Sequence, residues 1–281
     1  MSHSTDYAIL LDLFIRLVQS QAGKKIEAGE AWLNDAQTLS IKLFRHLVSM
    51  QTLASGTTVK QDNTTTTFFV DHASVKVVAR AALETYLVFY YLYGIGDRKD
   101  ISEFRHKTWR LGGLIDRQQF HVSTEENRKV LAREKQQIDT LKSEIEAAPQ
   151  FQEYTQKQRV KLLEGDWRIG NGWSELGVKA GFHKRYFKEI YGYLCGYSHS
   201  SYLSALQVGQ AQSIEDQRML TQFILGIGVV IMAHFVFSYS GSFSSAGIVL
   251  ASSPDAKRVA EKWHFGPEII EEIIYDRKPV N

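Results

Sequence analysis

The chain has a single cysteine, Cys195, in 281 residues, which excludes an internal disulfide framework and any metal centre built from several thiolates. A lone thiol fits a reducing compartment, and the expected location is the cytoplasm. Proline is scarce as well. Its four copies, Pro149, Pro254, Pro267 and Pro279, all fall in the second half, so nothing before Pro149 forbids a helix interior. An excess of one charge is also missing: 33 basic against 31 acidic residues leave a net charge of +2, and no global field draws the chain to a polyanion. The first twenty residues lack a cationic start, and Asp12 and Arg16 interrupt their apolar run, which argues against a secretory signal. No glycine-rich loop of the phosphate-cradling kind follows a strand pattern.

What is present is enough apolar sequence, 44%, to build a substantial core. Periodicity predicts helices near 5–22, 27–54, 71–93, 99–121, 124–147, 151–164, 174–180, 183–199 and 214–240, with short ones near 255–263 and 267–275. The expected fold is an all-α multi-helix bundle with a protruding charged helical arm. Its expected organisation is one helical domain over 1–253, with the arm at about 122–165, and short C-terminal helices over 254–281 packed on it or forming a tail. The arm opens on Ser123 and Glu126, a capping-box spacing, and carries Val130, Leu131, Ile138, Leu141 and Ile145 amid charge. Ser55–Thr67 reads as a polar loop. The run Leu220–Tyr239 is long enough to span a bilayer, but Thr221, Gln222 and His234 interrupt it and basic flanks are sparse. It reads first as a central buried helix, with a membrane segment as the lesser alternative.

The segment from Tyr186 to Tyr202 holds five tyrosines in its first seventeen positions, together with Cys195 and the pair Ser198–His199. At helical spacing Tyr186, Ile190, Tyr193 and Tyr197 form one stripe, and Gly192, Gly196 and His199 form another open to close approach by a neighbour. Earlier, His72, Lys76, Arg80 and Glu84 recur every four residues on an otherwise apolar helix. Facing water, Arg80 and Glu84 make an ordinary ion pair. Facing inward, they need specific partners, because unpaired buried charge costs several kcal/mol (~3–5).

An Arg-x-x-x-Glu helix followed far downstream by Tyr-x-x-Leu-x-x-x-Ser-His resembles a family of uncharacterised bacterial all-helical proteins. The matching residues are Arg80, Glu84, Tyr193, Leu194, Ser198 and His199, with Leu194 one position off the pattern, and the likeness spans roughly residues 71–205. The resemblance implies a shared polar site and names no reaction. With it, the inward reading of Arg80 and Glu84 is preferred.

Other patterns carry less. Lys179, His183, Lys184, Arg185 and Lys188 interleave with Phe182, Tyr186 and Phe187 in the one basic-aromatic patch, able to grip phosphates and stack bases or simply to pack its rings and solvate its lysines. The same stretch faintly resembles a helix-turn-helix with Gly181 at the turn, but its first helix is short and its second runs into the tyrosines. Helical ribonucleases of the kind found in higher eukaryotes and prokaryotes place His four to six residues after Arg; Arg258 and His264 have that spacing by chance. Two Glu-x-x-His pairs, Glu103 with His106 and Glu261 with His264, match di-iron ligand spacing weakly. Ser198 lacks a nucleophile elbow and a third triad member. No metal and no cofactor are expected.

The leading expectation is therefore a binding protein whose central helices bring Arg80, Glu84, Tyr193 and His199 around a polar pocket, with Ser198 beside it. The rival is a metal-independent helical ribonuclease of the phage-defence kind, with His199 as base, Arg80 as phosphate clamp, Glu84 in support and residues 179–188 holding RNA. A third class is an oligomeric scaffold, a homo-oligomer joined through the glycine-tyrosine helix or through 220–239. Membrane association is disfavoured, and the physiological partner is not encoded in any motif.

Overall fold

A computed structural model of the chain describes residues 3–27, 29–60, 66–94 and 98–276. Among them are thirteen helices and one two-stranded sheet, so the fold is all-α. The helices are α1 (His3–Gln19), α2 (Asn34–Ala54), α3 (His72–Tyr93), α4 (Lys99–Gln118), α5 (Glu125–Ala147), α6 (Gln156–Leu163) and α7 (Trp173–Lys179). They continue as α8 (Lys184–Ser198), α9 (Tyr202–Gln210), α10 (Ile214–Ser242), α11 (Ser244–Ala251), α12 (Pro254–Trp263) and α13 (Pro267–Ile270), which runs into a π-turn at Glu271–Tyr275.

The chain folds as two compact units, Tyr91–Gly172 and the remainder on either side of it. The middle unit contains the expected arm but starts earlier than 122. The reason is α4, whose apolar side supplies Phe104 and Leu111 to a core shared with Ile138, Leu141 and Ile145 of α5 and with Phe151. The charged side of α5 stays outside, tied to α4 by Lys107 with Glu144 at 3.1 Å and Arg117 with Glu134 at 3.2 Å. Its cap is Thr124, whose hydroxyl accepts from the Asn127 amide, and not Ser123.

The larger unit is built around α10. Its 18-residue apolar window is 67% buried, and the side chains responsible are spent on internal packing: Phe235 stacks on Phe14 of α1 at 4.0 Å, and Phe89 of α3 lies 5.1 Å from the same ring. Several buried polar groups in this core find partners. The Tyr7 hydroxyl donates to the Leu47 carbonyl at 2.8 Å, and Tyr86 meets the Ser238 hydroxyl at 3.1 Å. Buried Asp6 accepts from Lys262 and Trp263, which joins α12 to α1.

Three local expectations change. The helix expected from residue 27 begins at Asn34, because Gly29 takes a left-handed φ of +85° that a helix cannot continue through; Ala28 lies outside the described residues. The expected loop at 55–67 holds two antiparallel strands, β1 (Thr57–Lys60) and β2 (Thr66–Phe69), with Thr57 opposite Phe69. Its threonines, Val59 and two phenylalanines favour extended backbone, while 61–65 lie outside the described residues. Helices α9 (Tyr202–Gln210) and α11 (Ser244–Ala251) were not among the expected helices. Pro279 and its neighbours also lie outside.

His234 of α10 is buried and sits 4.3 Å from Phe182 and 4.4 Å from His264. Burial, aided by His264, lowers its pKa to about 3. The unfolded chain then takes up a proton that the fold refuses, so this stability is complete above the unfolded value and is lost as pH falls from about 6.5 towards 3. Chemical denaturation at stepped pH is expected to show a loss of roughly 3–5 kcal/mol over that window, much reduced in His234→Leu.

Candidate functional site

The polar line of α3 faces α8. At one end Glu84 Oε1 accepts two hydrogen bonds, from Arg80 Nε at 3.0 Å and from the Tyr191 hydroxyl at 2.7 Å. Arg80 Nη1 then reaches His199 Nε2 at 3.3 Å. A guanidinium only donates, so Nε2 accepts, and a neutral His199 carries its proton on Nδ1. The side chains of Arg80 and Glu84 are 22% and 25% exposed, neither solvated nor sealed. Burial works against the Arg80 charge, but Tyr191 and Glu84 outweigh it and its pKa is raised. Burial and the Glu84 carboxylate raise that of Tyr191, keeping it a donor.

His199 is held at this place by local chain chemistry. It is the C-cap of α8, its amide bonded to the Cys195 carbonyl. The next residue, Ser200, adopts φ +53°, the only non-glycine residue with a positive φ among those described, which turns the chain sharply into α9. Gly196 makes the turn possible: a Cβ there would stand 2.8 Å from the Ser201 hydroxyl. The close approach expected along Gly192 and Gly196 thus occurs at Gly196 alone and is made by the following turn; Gly192 faces open space.

One turn earlier on α3 lies a second polar group that belongs with the first. Lys76 is fully buried. Its ammonium donates to His72 Nδ1 at 2.8 Å and lies over the Tyr197 ring at 4.2 Å and the Tyr193 ring at 5.7 Å. No carboxylate pairs with it among the described residues. Burial lowers its pKa to about 8, with Asp71 opposing only weakly, and His72 is lowered by burial and by Lys76.

The structure therefore brings Arg80, Glu84 and His199 together and places the other expected site residues elsewhere. Tyr193 is not at the Arg80 pair; its hydroxyl donates to Gln207 Oε1 at 3.0 Å, as does that of Tyr197 at 2.5 Å. The tyrosine in the site is Tyr191. Ser198 spends its hydroxyl on the Leu194 carbonyl at 3.3 Å. Tyr186 and Ile190 line a small apolar cavity of about 30 Å³ with Leu83, Phe182 and Ile231. In the basic patch, His183 caps α8 through Nδ1 and meets Glu271 at 2.5 Å, and Arg185 pairs with Glu189 at 3.0 Å and lies over Tyr275 at 4.2 Å. Acid groups thus occupy two of its five cationic positions; Lys179, Lys184 and Lys188 are exposed.

The remaining patterns do not assemble either. Glu103 pairs with Lys107 while buried His106 lies beside Trp109. Glu261 pairs with Lys257, Arg258 with Asp255, and His264 packs on His234 and Phe237. No group of three or more His, Cys, Asp or Glu able to hold a metal ion occurs among the described residues. No protein-family model, curated protein or solved structure matches the chain.

Lys76 yields a direct test. Its folded pKa lies below the unfolded value of about 10.5, so above pH 8 the unfolded chain holds the extra proton and stability rises with pH. The increase is expected between pH 8 and about 10, after which the buried tyrosines, whose pKa values are raised, pull the other way. Denaturant titrations are expected to show a gain of roughly 1–3 kcal/mol across that window. Lys76→Met should abolish the gain and stabilise the protein at pH 7 by a similar amount.

Proposed function

We propose that the protein is a soluble, cytoplasmic binding protein whose site takes a small ligand through an anionic group, phosphate or carboxylate, seated on Arg80 and His199. The observation that carries this reading is the way Arg80 is held. Its Nε is committed to Glu84 and its Nη1 to His199, while the side chains of Arg80 and Glu84 stay 22% and 25% exposed and so open to a further partner. A half-buried guanidinium fixed on two sides loses little freedom when a third partner arrives, and its planar fork suits an oxyanion. Glu84 offsets the Arg80 charge, and its carboxylate offers an acceptor to a donor on the same ligand. Calorimetry with inorganic phosphate and with acetate is expected to give saturable binding to one of them, weakened about tenfold or more in Arg80→Gln. Equal binding by the wild type and a folded Arg80→Gln would refute the reading.

A second reading, metal-independent cleavage of RNA, is favoured by the same 3.3 Å approach, which sets a phosphate clamp beside a general base. It ranks below binding for two reasons. Arg80 occupies the lone pair that the base needs, and His183 and Arg185 are already engaged by acids. It requires RNA cleavage in the presence of a chelator that His199→Ala abolishes, and an unchanged rate in that variant removes it.

A further inference from the structure

Helix α9 is amphipathic in the wrong direction. Its inward side is polar: Ser204 is buried, and half-buried Gln207 accepts from Tyr193 and Tyr197. Its outward side is apolar, with Tyr202 82% exposed and Leu203, Leu206 and Val208 exposed with it. An amphipathic helix of a water-surrounded protein turns its apolar stripe to the core, and a nine-residue helix has little stability of its own. The apolar surface extends beyond α9. Phe223, on the first turns of α10, is exposed and meets Tyr193 edge-on at 6.4 Å, while Met219 one turn before it is 63% exposed. Tyr193 in turn bonds Gln207, so this ring links α9 to the first turns of α10.

We propose that this face is where a second copy of the chain docks, through a two-fold interface centred on Leu203, Leu206 and Phe223. Charge selects this occupant. Between Glu189 and Glu215 the sequence contains no Lys, Arg, Asp or Glu, so the face offers no counter-charge to a charged partner and meets its own image without repulsion. The first turn of α10 beside it carries Glu215 and Asp216, which disfavours an anionic lipid surface. The exposed side chains amount to several hundred Å², the scale of one partner's share of a standard interface, about 800 Å². Being self-complementary, the face buries the same side chains from both copies, which gives α9 the apolar cover that its own fold withholds.

Light scattering and sedimentation velocity on the full chain over about 1–100 μM test this. The expected result is a wild-type dimer with micromolar dissociation, converted to monomer by Leu203→Glu with Phe223→Glu. Tyr202→Lys, at a position too exposed to disturb folding, should weaken the dimer about tenfold or more, with unchanged far-ultraviolet circular dichroism. A wild type that stays monomeric at the highest concentration overturns the proposal, and so does a dimer that Tyr202→Lys and the double variant leave equally tight. A monomer that floats with neutral phosphatidylcholine vesicles assigns the face to a bilayer and overturns it as well. The outcome is independent of whether Arg80 binds an anion.

Discussion

The cost of placing charge inside an apolar helix pair governs this structure. Helix α3 must bury most of its circumference against α8 and α10, yet it carries His72, Lys76, Arg80 and Glu84 on one line. Each charge removed from water needs replacement partners, and α8 supplies them: Tyr197 for Lys76, His199 for Arg80, Tyr191 for Glu84. The tyrosine content of α8 is thus explained by what it faces. Phenolic rings pack like apolar groups while their hydroxyls and π-faces answer charge.

The ladder is unequal along its length. At the Lys76 end it is sealed and poor in counter-charge, so the amine is held at a cost to stability. At the Arg80 end it is half open and has hydrogen-bonding capacity to spare. A fold selected for stability alone has no use for either feature, since apolar residues of similar volume would pack as well or better. Their presence together, one turn apart, is the physical ground on which the proposed binding role of the α3–α8 seam rests. Helix α9 packs on that seam through Gln207, which is bonded to the tyrosines that contact Lys76.

Much of this was legible in the sequence, in proportion to how local the cause was. The helical fold followed from periodicity and from the absence of early prolines, and α10 was expected as a buried helix. The four-residue recurrence of His72, Lys76, Arg80 and Glu84 requires them to share a face, and the helix range 183–199 put His199 at a helix end. What failed was the phase of α8. Tyr193 was expected at Arg80, but the line Tyr191, Cys195, His199, spaced i, i+4, i+8, is the one that faces it. Which stripe of a helix meets a neighbour more than a hundred residues away is set by the crossing of the two helices, and the sequence of either one does not contain it. The same limit hid the separate core beneath α4, while β1, β2 and α9 fell below the length at which a period becomes readable.

The central claim is that Arg80 bridges Glu84 and His199, and the tautomer of His199 tests it most directly. Nitrogen-15 shifts of the imidazole, recorded at a pH where the ring is neutral, distinguish a proton on Nδ1 from one on Nε2. The bridge requires the Nδ1–H form in the wild type, because Arg80 donates to Nε2, and a return towards the Nε2–H form in Arg80→Gln. A wild-type ring protonated on Nε2, unchanged by that substitution, would contradict the account.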